Sequence, residues 1–163
     1  MNGDDVMKIL AFDQATVNSG YAFFDGKHYV ESGVIHKDDN ENIETRVINM
    51  GLAICAKIKE LQPDLVVIEG TQTQSNAKIV IQLSRLQGCI MLYCASKKIK
   101  YEILTPTQWR STLEYRQGSK VKREELKQQS LAYVKEHLGF DNLSDDQAEA
   151  CCINMAAQKL YEK

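Results

Sequence analysis

Two periods of apolar and polar residues run along this chain, and the changes from one to the other mark its elements. Met7 to Asp13 (MKILAFD) is a short apolar run of the kind that forms a buried strand. Asn18-Ser19-Gly20 turns the chain into a second run, Tyr21–Phe24, and Asp25-Gly26 is a hairpin signal before Tyr29–Ile35. These three runs predict an antiparallel meander. Ile43, Val47, Met50, Ile54, Ile58 and Leu61 then recur at spacings of three and four, which places them on one face of a helix. Pro63-Asp64 introduces LVVIEG, a second apolar strand that ends in an acid; the helix before it predicts that it runs parallel to the first. Asn76 to Lys97 reads as a long apolar helix, Tyr101–Leu104 as a further strand, and Pro106 as the first turn of a short helix. Beyond the loop through Arg116, Gln117 and Gly118, a charged helix is expected from Lys120 to Leu138, stopped by Gly139. Ser144 with Gln147 three residues later is a capping-box pattern, so the last helix begins at Asp145. This order belongs to an α/β layered fold with a mixed five-stranded sheet, an antiparallel meander plus parallel strands, flanked by helices.

Length and composition narrow the picture without changing it. The 163 residues are expected to form a single domain, 1–163, because they suffice for one substantial core and not comfortably for two. No apolar run is judged long enough to cross a bilayer, and the acidic, polar stretch Met1 to Met7 is unlike a signal peptide. A cytoplasmic location with no membrane partner is therefore expected. Cys55, Cys89, Cys94, Cys151 and Cys152 are odd in number, form no CxxC pair and lie in apolar helices, so they are read as free thiols in the core. His28, His36 and His137 sit in no ligand spacing and are read as surface residues.

Charge is more informative by position than in total. The net charge of −2 argues against a chain that coats DNA indiscriminately. Yet Lys97 to Lys127 holds nine basic residues and four acids, whereas the first 64 residues hold eleven acids and six bases. A single-sign excess confined to one segment fits either a phosphate-contacting face or a solvated helix face.

Four acids occupy positions where an acid needs a reason. Asp13 and Glu69 each close an apolar strand, and strand adjacency would bring them to the same end of the sheet. Asp146 and Glu149, three apart, project from one face of the last helix, while Asp145 at the first helical position is expected to point to solvent. Carboxylates that converge without a lysine repel one another, so either one keeps a proton or the group holds a cation. Oxygen ligands with no His or Cys beside them select Mg2+, with Mn2+ as a substitute. Such a site suits phosphodiester hydrolysis by two ions about 3.5–4 Å apart.

These residues carry a resemblance. ILAFDQATVNSGYAFF resembles the first strand and hairpin of the RuvC Holliday-junction resolvases of the ribonuclease H-like superfamily. DLVVIEG resembles their second acid-bearing strand, NAKIVIQLSRLQGCI the helix that follows, and DDQAEACCINMA their closing helix. The likeness runs from Lys8 to Ala157. It implies a ribonuclease H-like fold and a metal-dependent endodeoxyribonuclease that resolves branched DNA in recombination and repair. By the match, Asp13, Glu69, Asp146 and Glu149 fall on the four catalytic, metal-binding acids. The chain departs from the pattern in having Gln14-Ala15 where the family has Pro-Gly, Glu149 where it has aspartate, and Gln72 where it often carries an aromatic wedge.

The resemblance also implies basic residues near the scissile phosphate, and Arg110 and Lys122 lie close to the expected positions. Lys120, Arg116 and Gln72 complete the candidate DNA contacts. Trp109 and Tyr115 have rings that can stack on bases, although core packing is the stronger reading for Trp109. Thr71–Ser75 lies where a substrate would enter. The family pairs through the helix that here spans 76–97, whose apolar residues exceed one face, so a homodimer is expected. The alternatives are an RNA-directed nuclease of the RuvX (YqgF) type and a non-catalytic module that binds branched DNA. A kinase of the actin-like superfamily shares the opening hairpin but would need a second comparable domain.

Overall fold

The computed structural model describes residues 6–72 and 76–161. Of the polar stretch Thr71–Ser75, residues 73–75 therefore lie outside the described residues. The chain runs β1 (Lys8–Asp13), β2 (Asn18–Asp25), β3 (His28–His36), α1 (Ile43–Leu61), β4 (Leu65–Glu69), α2 (Ala77–Ser96), β5 (Lys100–Leu104), α3 (Pro106–Thr112), α4 (Arg123–Leu138) and α5 (Asp145–Tyr161). The five strands form one sheet in the order β3-β2-β1-β4-β5. The first three pair antiparallel, and β4 and β5 run parallel to β1, which is the predicted mixed sheet.

Strand alternation divides the core in two. Ile9 and Ala11 of β1 and Leu65 and Val67 of β4 face a layer of α3, α4 and α5. Leu10, Phe12, Val66 and Ile68 face α1 and α2 on the opposite side. Successive side chains of a strand point to opposite faces, so Asp13, two beyond Ala11, and Glu69, two beyond Val67, both fall on the α5 side.

Helix α5 is buried from Ala150 to Gln158 without interruption. Its Ala and Cys side chains allow the axis to lie close to the sheet, and the buried Asn154 amide donates to the carbonyls of Ile9 and Ala22 at 2.8 and 2.9 Å. Those two bonds fix the axial position of α5 across β1 and β2.

Three boundaries or readings move. The charged helix starts at Arg123, three residues later than expected, because 118–121 form a turn (Val121 N–H to the Gly118 carbonyl, 3.0 Å) and Lys122 is extended at the N-cap. Strand β2 starts at Asn18, since the fully buried Ser19 bonds both the N–H and the carbonyl of Ala15 and holds the loop against the sheet. Contrary to the reading of the apolar runs, α2 is by length and composition apolar enough to cross a membrane. In the fold it packs on α1 and β5, with Leu86, Ile90 and Cys94 buried. Pro106 opens α3, Gly139 ends α4 and the Ser144–Gln147 capping box forms, each as predicted, and Asn76 and Thr105 cap α2 and α3. The cysteines are free and His28, His36 and His137 are exposed.

Candidate active site

Asp13 and Glu69 end adjacent parallel strands on the face that α5 covers, and α5 carries Asp146 and Glu149. The approach of α5 depends on Gly20. It pairs with Asp13 across the β1–β2 ladder, and a Cβ there would lie 2.0 Å from the carbonyl oxygen of Asp146. Glycine is the residue that lets backbone pass against backbone at this point.

All four acids are half-buried. Burial raises the Asp13 carboxyl well above the usual range, and repulsion from Glu69, Glu149 and Asp146 adds to it. Burial also raises Glu69, opposed by the hydrogen bond from Trp109 and by the charge of Arg110. The charges of Glu69, Glu149 and Asp146 all act on the Asp13 carboxyl. Without a cation, like charges brought this near favour the protonated form of Asp13. Asp146 stands at the rim. Burial and the adjacent Asp145 raise its carboxyl, while Lys127 and Arg123 of α4 pull it back.

The donor set is therefore oxygen-only and short of positive charge, which suits Mg2+ or Mn2+. Among the described residues no group of three or more His, Cys, Asp and Glu side chains is drawn in tightly enough to hold a metal ion as it stands.

Glu69 is held on three sides. The Trp109 indole donates to its Oε1 at 2.9 Å. The Gln14 carboxamide bonds its main chain. Arg110 lies over the Trp109 ring, 4.9 Å from the centroid, and its Nε is buried with no hydrogen-bond partner among the described residues.

The other predicted contacts are distributed unevenly. Trp109 is fully buried and Tyr115 nearly so, edge to face at 5.4 Å, which removes both from base stacking. The Tyr115 hydroxyl instead lies within hydrogen-bond reach of the Ser130 hydroxyl and the Cys152 thiol inside the core. Arg116 is exposed but tied to Glu125 at 2.5 Å. Lys120, Lys122 and Gln72 are exposed, and the two lysines make no ion pair among the described residues. Asp145 lies toward solvent as expected, its side chain 45% exposed, and there it pairs with Lys127 at 2.8 Å.

Gln14, Gly20, Arg123 and Lys127 are not singled out as site residues by the sequence, and Trp109 is a candidate there for base stacking rather than for holding Glu69. For Arg123 and Lys127 a signal existed, since an i, i+4 pair of bases shares one face of α4.

A family model described as crossover junction endodeoxyribonuclease RuvC matches residues 9–156. The crossover junction endodeoxyribonuclease RuvC of Caldicellulosiruptor saccharolyticus is 27% identical over 160 residues, covering 91% of this chain and 90% of that protein. The structure of Thermus thermophilus RuvC in complex with Holliday junction substrate superposes with a TM-score of 0.76 at 13% identity, covering 96% of this chain and 95% of the other. The fowlpox virus resolvase, in its complex with substrate Holliday junction DNA, gives 0.68 at 17% identity over 96% and 100%. At those identities the structural likeness establishes the shared fold, which is ribonuclease H-like.

Proposed function

Because the chain belongs to the RuvC family of crossover junction endodeoxyribonucleases, we propose that it resolves Holliday junctions by paired, metal-dependent nicks. The observation that carries the proposal is that adjacent parallel strands end in Asp13 and Glu69 on the sheet face covered by α5, which carries Asp146 and Glu149, all four half-buried and the other three acting by charge on Asp13.

In this reading Asp13, Glu69, Asp146 and Glu149 are the catalytic acids and would hold Mg2+ or Mn2+. The bound ions supply an activated water and stabilise the leaving 3′ oxygen. The chain's own residues do the positioning. Trp109 fixes which Glu69 oxygen faces the site, and a ligand so oriented loses less freedom when an ion arrives. Arg110, whose charge acts on Glu69 and whose Nε has no hydrogen-bond partner among the described residues, is placed to neutralise a scissile phosphate. Lys120, Lys122, Arg116 and Gln72 contact the DNA backbone farther out, a role for exposed groups that keeps register without reading bases.

A four-way junction has two-fold symmetry, and two opposed nicks call for two sites related by that axis. Helix α2 supports a homodimer. It leaves Ile79, Ile81 and Leu92 48%, 50% and 72% exposed, apolar area beyond what its own core uses.

The test is incubation with a synthetic four-way junction, with and without Mg2+, followed by mapping of the nicks. The native chain cuts symmetry-related strands only with the metal. Asp146→Asn abolishes nicking and leaves junction binding largely intact, since binding rests on phosphate contacts. Cleavage of RNA in place of the junction would favour the RNA-directed alternative, and binding without any cutting would favour the non-catalytic one.

A further inference from the structure

We propose that Gln14 is the positioning residue that fixes the separation of the two strand-borne acids, by extending the β1–β4 ladder with its side chain. The proposal rests on the metal-site reading above.

The parallel pairing of β1 with β4 ends at Phe12 and Ile68, one residue before both acids. On its far edge β4 continues, with Glu69 opposite Leu104 and the Gly70 N–H donating to the Leu104 carbonyl at 2.7 Å. The N–H and carbonyl of Glu69 point the other way, toward β1, where the backbone turns off into the Gln14–Val17 loop. Both would be orphaned there, and a buried orphan group costs far more than a made bond gains. The Gln14 carboxamide meets both. Its Nε2 donates to the Glu69 carbonyl, and its Oε1 accepts from the Glu69 N–H at 3.1 Å.

A carboxamide suits this at neutral pH, because one end donates and the other accepts whatever the pH, whereas an ionised carboxylate or a lysine could make only one of the two bonds. The side chain is 6% exposed, so water does not substitute for it. Gln14 also follows Asp13 in the chain. One pair of bonds therefore ties the backbone of one acid to the immediate neighbour of the other, at the rung where the ladder itself has stopped. A residue that merely completed the sheet would serve at any rung; this one sits where a shift of either strand end changes the spacing of two ligands.

The test compares the native chain with Gln14→Leu and Gln14→Met, which keep the size of the side chain and lose both bonds. Two quantities are read on the full protein. One is Mn2+ affinity without DNA, by calorimetry. The other is four-way junction affinity in chelator, which depends on phosphate contacts and on an intact fold. Removing a group that orients a ligand weakens metal binding about 10–100-fold. Both variants are expected to fall in that range for Mn2+ and to bind the junction within about twofold of native. Native-like Mn2+ affinity in either variant that binds the junction overturns the proposal. Loss of junction binding in both overturns it too, since Gln14 then serves folding. If the native chain itself takes up no Mn2+, the metal-site reading fails first and carries this one with it.

Discussion

Asp13 and Glu69 hold protons more tightly than exposed carboxyls do, chiefly because burial removes water from the charged form. A carboxyl raised in the folded state contributes stability that is complete below its unfolded pKa and lost as pH rises through the folded value. The metal-free protein thus carries a penalty at this site that grows above roughly pH 4, the ordinary range of an aspartate. Asp13→Asn is neutral at every pH and removes it. In chelator at pH 8 the variant should melt above native, by about 2–4 °C for each kcal/mol relieved, and the gap should close toward pH 4; an unchanged or lower melting point at pH 8 contradicts this. Trp109 acts on the other acid. Trp109→Phe keeps a buried ring and loses the bond to Glu69. Single-turnover nicking should fall about 10–100-fold for a stability cost of about 1–3 kcal/mol, while an unaltered rate would show that the indole only packs. The acids were legible in the sequence because a charge that closes an apolar strand needs a reason. Gln14 and Trp109 were not, because each meets Glu69 across a gap of 55 or 40 residues that no local pattern encodes.

Among the elements, α5 brings two of the four acids and its seat on the sheet is exacting. Asn154 fixes it along the strands, and Gly20 fixes how near its first turn can come. Gly20→Ala sets a methyl against the Asp146 backbone, which cannot swing away as a flexible side chain would. The variant should nick at least tenfold more slowly and melt lower, because relief requires the first turn of α5 to lift. Native nicking would mean that Asp146 needs no close approach to Asp13. The start of α5 was readable from its capping box, and so was the i, i+3 relation of its acids. The electrostatic setting of Asp146 was not, since it depends on Lys127 and Arg123, which belong to another helix. The late start of α4 was hidden for a similar reason: 120–122 reads as helix-permissive by composition, and the turn that begins at Gly118 runs on through Val121.

In the molecule as a whole, the sheet places chemistry on the α5 layer and leaves the α1–α2 layer on the other side with apolar surface to cover. Ile48 and Leu52 of α1 are exposed beside those of α2. Stable interfaces bury about 1,200–2,000 Å2 in total, and a charge at the centre of one is costly to leave unpaired. Leu92→Glu should convert a dimer to a monomer in sedimentation and uncouple the two nicks on one junction; a native chain that sediments as a monomer contradicts the pairing. The sheet order was legible because connection rules leave few topologies for this succession of elements, whereas the membrane-like composition of α2 went unnoticed because scattered polar residues interrupt it. The central claim is that acids from β1, β4 and α5 share divalent cations. Anomalous scattering from a crystal soaked in Mn2+ tests it most directly: manganese peaks bridging Asp13, Glu69, Glu149 and Asp146 are the predicted result, and empty, separated carboxylates in a crystal saturated with the ion are the result that contradicts it.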